Sequence, residues 1–191
     1  MKKLLVLVIL INAATAFAYA QTPDFRGFNW GNAFNKIQSE EKAQFVLKSE
    51  NDELEYTDIL GGSDCDVVYI FNDNDKLKSG MYIFSKKYSN PELYLQDYNK
   101  FKALLREKYG NPVIENENWN KNTPVYEKQN YGQAVSDGNL SLTTFWNTDR
   151  TVIKLALVTS DKHPRLQIHY SSRWLNELEN NEELKSALLK L

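Results

Sequence analysis

Residues 139–171 read NLSLTTFWNTDRTVIKLALVTSDKHPRLQIHYS, and the alternation inside this stretch decides the fold. Successive side chains of a strand point to opposite faces, so a half-covered strand carries apolar residues at every second position. Leu140, Leu142 and Trp146 share one parity. Ile153, Leu155 and Leu157 carry it into a second run, and Leu166, Ile168 and Tyr170 into a third. Ser141, Thr143, Lys154, Gln167 and His169 hold the other parity, where Phe145, Val152 and Val158 are apolar exceptions. Asn147-Thr148-Asp149 and the segment from Ser160 to Pro164 separate the runs with turn-forming residues. The pattern predicts a three-stranded antiparallel meander with one face that a helix must cover.

The helix suited to that task lies upstream. Asn90 is a good cap, Pro91 takes its preferred first position, and Glu92 suits the positive end of the helix dipole. Tyr94, Leu95, Tyr98, Phe101, Leu105 and Tyr109 follow at helical spacing before Gly110 and Pro112 end the run. Such an aromatic stripe is read as core rather than as a ligand face.

Further upstream, 42–48, 53–60, 66–72 and 76–84 read as strands. Val67, Tyr69 and Phe71 share a parity, and so do Leu77, Met81 and Ile83 if Gly80 marks a bulge. Asn32 is expected to cap a short helix that buries Phe34 and Ile37, with Glu40 and Glu41 opposing the dipole at its end. Segment 113–128 reads as irregular, with one or two short strands around Trp119 and around Val125-Tyr126. Leu184, Ala187, Leu188 and Leu191 give a small amphipathic helix over 182–191.

The expected fold is therefore α+β, with antiparallel meanders packed on one long helix in a single domain over 21–191. Segments 25–88 and 89–175 have the same order of parts: a helix, a less regular strand region, then a strong hairpin. That is the order expected of two related αβββ units sharing a sheet or core.

Lys2 and Lys3, the apolar run Leu4–Ile11 and Ala18-Tyr19-Ala20 form a secretory signal peptide over 1–20, too short and wrongly flanked for a spanning helix. No Cys follows the run, so a lipid-attachment site is not expected, and the protein is expected to be periplasmic or secreted. Cleavage removes two of the 23 Lys and Arg and none of the 25 Asp and Glu, moving the net charge from −2 to about −4. Such a balance points away from nucleic acid as a partner. No later stretch approaches the ~20 apolar residues of a membrane span. Cys65 is the only cysteine, which excludes an internal disulfide, and Asp64 and Asp66 beside it favour the thiol over the thiolate.

Residues 30–37, WGNAFNKI, resemble the Gly-x-Ser-x-x-x-Val helix start of small exported helix-plus-meander modules. These are the outer-membrane assembly lipoproteins of the SmpA/OmlA type and, in tandem, the β-lactamase inhibitor protein fold. Ala33 stands where that family carries its capping Ser, and the lipidated Cys is missing. The resemblance implies a binding or envelope-assembly scaffold without catalysis, and transfers no functional residue.

Catalytic patterns are sparse. There are two histidines, His163 in a turn and His169 on the polar parity, and no Gly-x-Ser-x-Gly elbow presents a serine. His169 and Ser171, two apart on a strand, face the same way without forming a triad. Asp73-Asn74-Asp75 lacks the later Gly and bidentate Glu of a calcium loop, and reads as a solvated turn. No catalytic residue, metal site or cofactor is expected. The expected function is a non-enzymatic exported binding or envelope-associated module that contacts another envelope or secreted protein. Its contact surface is sought on an outer sheet face or around Trp30, Trp119 and Tyr126. The alternative is a hydrolase acting on cell-wall or carbohydrate substrates, whose paired acids cannot be chosen among 25 carboxylates.

Overall fold

The computed structural model describes residues 22–48, 53–121, 123, 130–160 and 163–175. The signal peptide expected over 1–20, the strand sought around Val125-Tyr126 and the helix expected over 182–191 lie outside them. Strands β1 (Gln44–Lys48), β2 (Glu53–Leu60), β3 (Ser63–Phe71) and β4 (Leu77–Phe84) follow helix α1 (Phe34–Glu40). Helix α2 (Glu92–Tyr109), β5 (Ile114–Trp119), α3 (Tyr131–Ser136), β6 (Leu140–Asn147), β7 (Thr151–Ser160) and β8 (His163–Ser172) complete the order. All eight strands form one antiparallel sheet in the order β1-β2-β3-β4-β8-β7-β6-β5. The two meanders therefore meet at their last strands, β4 and β8. No described helix is long and apolar enough to cross a membrane.

The parity read from 139–171 holds: Leu140, Leu142, Trp146, Ile153, Leu155, Leu157, Leu166, Ile168 and Tyr170 are all buried. Opposite them, α2 lays Tyr94, Tyr98, Phe101 and Leu105 into the core, a face of the size and shape that drives helix-on-sheet packing. Asn90 Oδ1 accepts the Glu92 N–H at 3.1 Å, and Gly110, with φ of 81°, stops the helix. The Trp146 indole N–H donates to the Gly110 carbonyl at 3.0 Å, fixing the helix end to β6.

Covering the sheet is not left to one long helix. Below the first meander lie α1 and the tight hairpin Phe25-Arg26-Gly27-Phe28, closed by reciprocal backbone bonds of 2.8 and 3.0 Å. Phe25 packs edge-on to Tyr69 and Tyr82 and tilts against Tyr170, so one ring joins both meanders. Arg26 takes φ of 48°, uncommon for a residue with a side chain, and its guanidinium bridges Glu41 and Asp58 at 3.0 and 2.7 Å. Phe34 and Ile37 of α1 are buried, but Asn32 does not cap the helix; its Oδ1 accepts the Asn29 N–H instead, and Ala33 occupies the cap position.

Two further readings change. The bulge of β4 lies at Lys78, the extra residue between Ser79, opposite Ile70, and Leu77, opposite Phe71. Gly80, Tyr82 and Phe84 consequently face the core, while Met81 and Ile83 face away. Gly80 instead seats Phe25. Segment 113–119 is a regular edge strand paired with β6 along Ile114–Trp119, because the half-buried Trp119 and the carboxylates facing α2 tie it to the fold.

Candidate functional site

The face of the sheet turned away from α1, α2 and α3 carries its own pattern, which the strand register makes explicit. From β6 to β2, one cross-strand row reads Phe145, Lys154, His169, Met81, Val68, Glu55. The next reads Thr143, Ala156, Gln167, Ile83, Asp66, Thr57. A third runs Val152, Ser171, Ser79, Ile70, Glu53. Apolar residues thus gather in two bands, Val68, Ile70, Met81 and Ile83 on β3 and β4 and Phe145, Val152, Ala156 and Val158 on β6 and β7, separated by the polar residues Arg165, Gln167, His169 and Ser171 of β8. Val68 and Ala156 are buried between larger neighbours, and Phe145, Met81, Ile83, Val152 and Val158 are half-buried.

Charge on this face is segregated. Glu53 and Glu55 on β2 and Asp64 and Asp66 on β3 lie at one side, and Lys154 on β7 and Arg165 on β8 at the other. Burial, with the neighbouring carboxylates of Asp66 and Glu53, pushes the Glu55 carboxyl above its ordinary value. Burial and the Lys154 ammonium lower the His169 imidazole, which favours its neutral form. Lys154 on β7 stands three strand spacings from β3, roughly 14 Å, and Arg165 on β8 two.

His169 Nε2 lies 3.4 Å from Ser171 Oγ on this face. The group in register with His169 on β7 is Lys154, a cation where a nucleophile–base pair needs an orienting acid. Among the described residues no group of three or more His, Cys, Asp or Glu is placed to hold a metal ion. Cys65 is a buried free thiol, pushed up to about 11 by burial first and by Asp58 next.

The three residues singled out from sequence go separate ways. Trp30 is 4% exposed, and its indole N–H donates to Thr151 Oγ1 at 2.9 Å, which makes it a core post. Its own backbone N–H donates at 2.8 Å to Asp24, whose carboxylate is clasped by Arg150 at 2.7 Å. Trp119 is half-buried at the end of β5, edge-on to Tyr131 with ring centroids 5.4 Å apart. Beside it, α2 and β5 enclose a groove of about 490 Å³ lined by Tyr98, Lys102, Glu115, Glu117 and Tyr131. Lys102 and Arg106 hold Glu115 at 2.9 and 3.2 Å, and the Tyr131 hydroxyl donates to Glu117 at 2.9 Å. The groove is thus cross-linked by its own side chains. Tyr126 lies outside the described residues.

Sequence reasoning missed the Arg26–Glu41–Asp58 clasp, helix α3 and the apolar bands on the face turned away from the described helices. Phe145, Val152 and Val158, apolar residues on the polar parity, were the one local signal for the last. The chain matches no known protein family, no curated protein and no solved structure, so the functional reading rests on its own residues.

Proposed function

We propose that the protein is an exported, non-enzymatic binding module whose working surface is the face of the sheet turned away from α1, α2 and α3. One observation carries this reading: on this face two apolar bands, one on β3 and β4 and one on β6 and β7, flank the polar residues of β8. Interaction surfaces combine apolar contact with polar groups, and apolar side chains gathered on the face of a folded protein mark a contact site. The leader-like residues 1–20 support a periplasmic or secreted location, with another envelope or secreted protein as the natural partner. The mirrored strand order supports reading 25–88 and 89–175 as two related halves joined at β4 and β8. This arrangement agrees with the non-catalytic scaffold role implied by the resemblance of residues 30–37 to the SmpA/OmlA and β-lactamase inhibitor modules.

The test is retention of envelope proteins by the purified protein, compared with two variants. Phe145→Asp places a charge in the β6–β7 band, and Leu104→Ser changes an exposed residue of α2. The reading expects a reproducible protein partner that Phe145→Asp loses and Leu104→Ser keeps. Retention that ignores Phe145→Asp would remove the face from consideration, and turnover of a cell-wall oligosaccharide by the protein would favour the hydrolase.

A further inference from the structure

We infer that residues 24–31 are a latch: they dock after the two meanders have met, and a leader engaged just upstream of them holds the fold open for export. This deepens the exported reading above and rests on residues 1–20 acting as a leader.

The latch joins parts of the chain that lie far apart in sequence. The ring of Phe25 stands 5.3 and 5.2 Å from those of Tyr69 and Tyr82 in the first meander, and 5.3 Å from that of Tyr170 in the second. Trp30 Nε1 donates to Thr151 Oγ1 across 121 positions, and Arg150 Nε to Asp24 Oδ1 across 126. The Gly31 N–H donates to the Leu77 carbonyl at the start of β4, at 2.9 Å. Within each meander, by contrast, strands pair with their neighbours in the chain, so their loops close at lower entropic cost. The notch at Gly80 that seats Phe25 is complete only when β8 has brought Tyr170 beside it. The order that follows is the meanders first, the β4–β8 junction next and the latch last.

The latch is also the part of the fold closest to the leader. Only Gln21, Thr22 and Pro23 separate Ala20 from Asp24. Fully extended, that stretch reaches at most roughly 14 Å. A leader held in a membrane or a translocation channel therefore draws Asp24 and Phe25 away from the sheet. Phe25, Phe28 and Trp30 are 2%, 6% and 4% exposed in the finished fold, so without them the floor of the junction stays open. A chain that must be threaded stays unlocked until the leader lets go.

Urea-jump kinetics of the exported protein test the order of docking. Phe25→Ala should leave the refolding rate within about twofold of the unsubstituted protein and speed unfolding by about a hundredfold or more, as for a contact made after the transition state. Trp30→Phe keeps an aromatic ring and loses the bond to Thr151; it should speed unfolding by about fivefold, and it decides the matter if Phe25→Ala does not fold. Refolding that slows by the full loss of stability would put the latch in the folding nucleus and overturn late docking. Protease digestion tests the leader. Refolded onto vesicles of phosphatidylethanolamine and phosphatidylglycerol, the 1–191 chain should stay sensitive, the exported chain should be resistant, and cutting the bound 1–191 chain after Ala20 should restore resistance. Equal resistance of the two chains, or sensitivity that persists after the cut, overturns control by the leader. The mass of the protein in the cell separates that failure from failure of the export reading. An exported chain cut after Ala20 would keep export and discard the latch, whereas a chain that stays in the cell with residues 1–20 attached would discard both.

Discussion

The ring of Phe25 occupies the space where a side chain at Gly80 would begin: a Cβ built on Gly80 would stand 2.3 Å from Cδ1 and Cε1 of Phe25. Gly80 pairs with Tyr170 across the β4–β8 junction, so this contact sits where the two meanders join. Gly80→Ala should destabilise the protein by roughly 1–3 kcal/mol through forced displacement of a buried ring. Phe25→Ala should cost roughly 3–5 kcal/mol through the cavity it leaves. The double variant should cost clearly less than the sum, because the clash disappears with the ring. Additive losses in urea unfolding would show that Gly80 matters for another reason.

Tyr98 joins α2 to the second meander twice, by its ring and by its hydroxyl, which lies 2.6 Å from Thr144 Oγ1 in the buried interior. Tyr98→Phe keeps the ring and leaves the Thr144 hydroxyl without that partner, at a cost of about 1–3 kcal/mol. Phe101→Ala, which removes a ring 4.4 Å from Phe84 and in contact range of Gly61, should cost roughly 3–5 kcal/mol. A Phe101→Ala loss below ~1 kcal/mol would mean that α2 does not hold the sheet.

The strands were legible because parity is a local property: the apolar positions of 139–171 are the buried ones. The bulge was misplaced because a glycine within a strand signals either a bulge or a close approach, and only Phe25, distant in sequence, decides which. Helix α3 escaped because its six residues, YGQAVS, have little intrinsic preference for helix. They are held by the Glu92 carboxylate, which accepts the Gly132 N–H at 2.8 Å, and by an approach so close that a Cβ on Gly132 would meet the Pro91 carbonyl at 2.6 Å. Trp30 looked like a surface aromatic in a segment rich in Gly and Asn, but its partner Thr151 lies 121 residues away. The face turned away from α1, α2 and α3 was hidden for the same reason, since placing Phe145 in one row with Met81 and Val68 needs the pairing of β4 with β8.

Cys65 is 2% exposed, with its thiol directed at the Asp58 carbonyl at 3.5 Å, and its ionisation is suppressed by burial and by Asp58. An aromatic disulfide reagent at mildly alkaline pH should leave the native protein unmodified and titrate one thiol after denaturation. Cys65→Ser should leave secretion and assembly state unchanged. Rapid labelling of the native protein would show that β3 opens, and a disulfide-linked dimer on a non-reducing gel would contradict the buried position.

Glu41, at the end of α1 just before the first meander, is a heavily engaged carboxylate. Arg26 donates to it at 3.0 and 3.1 Å, the backbone N–H groups of Lys42 and Ala43 at 2.8 and 2.9 Å, and the Tyr69 hydroxyl as well. Burial alone would raise its pKa, but the bonds from Arg26, Tyr69 and Ala43 bring it down to about 2 from an ordinary 4.5. Between these values the unfolded chain binds a proton that the folded chain refuses. The stabilisation is therefore complete above about pH 4.5 and drains away as pH falls towards 2, amounting to roughly 3 kcal/mol over that window. Glu41→Gln removes the titrating group, so the variant should lose this acid dependence. At neutral pH it should be less stable by several kcal/mol, because Arg26 then loses its buried charged partner and keeps the partly exposed Asp58. Urea unfolding of both proteins from pH 7 down to pH 3 measures each effect, and parallel pH curves for the two would show that the Arg26–Glu41 clasp does not hold the N-terminal hairpin to the sheet.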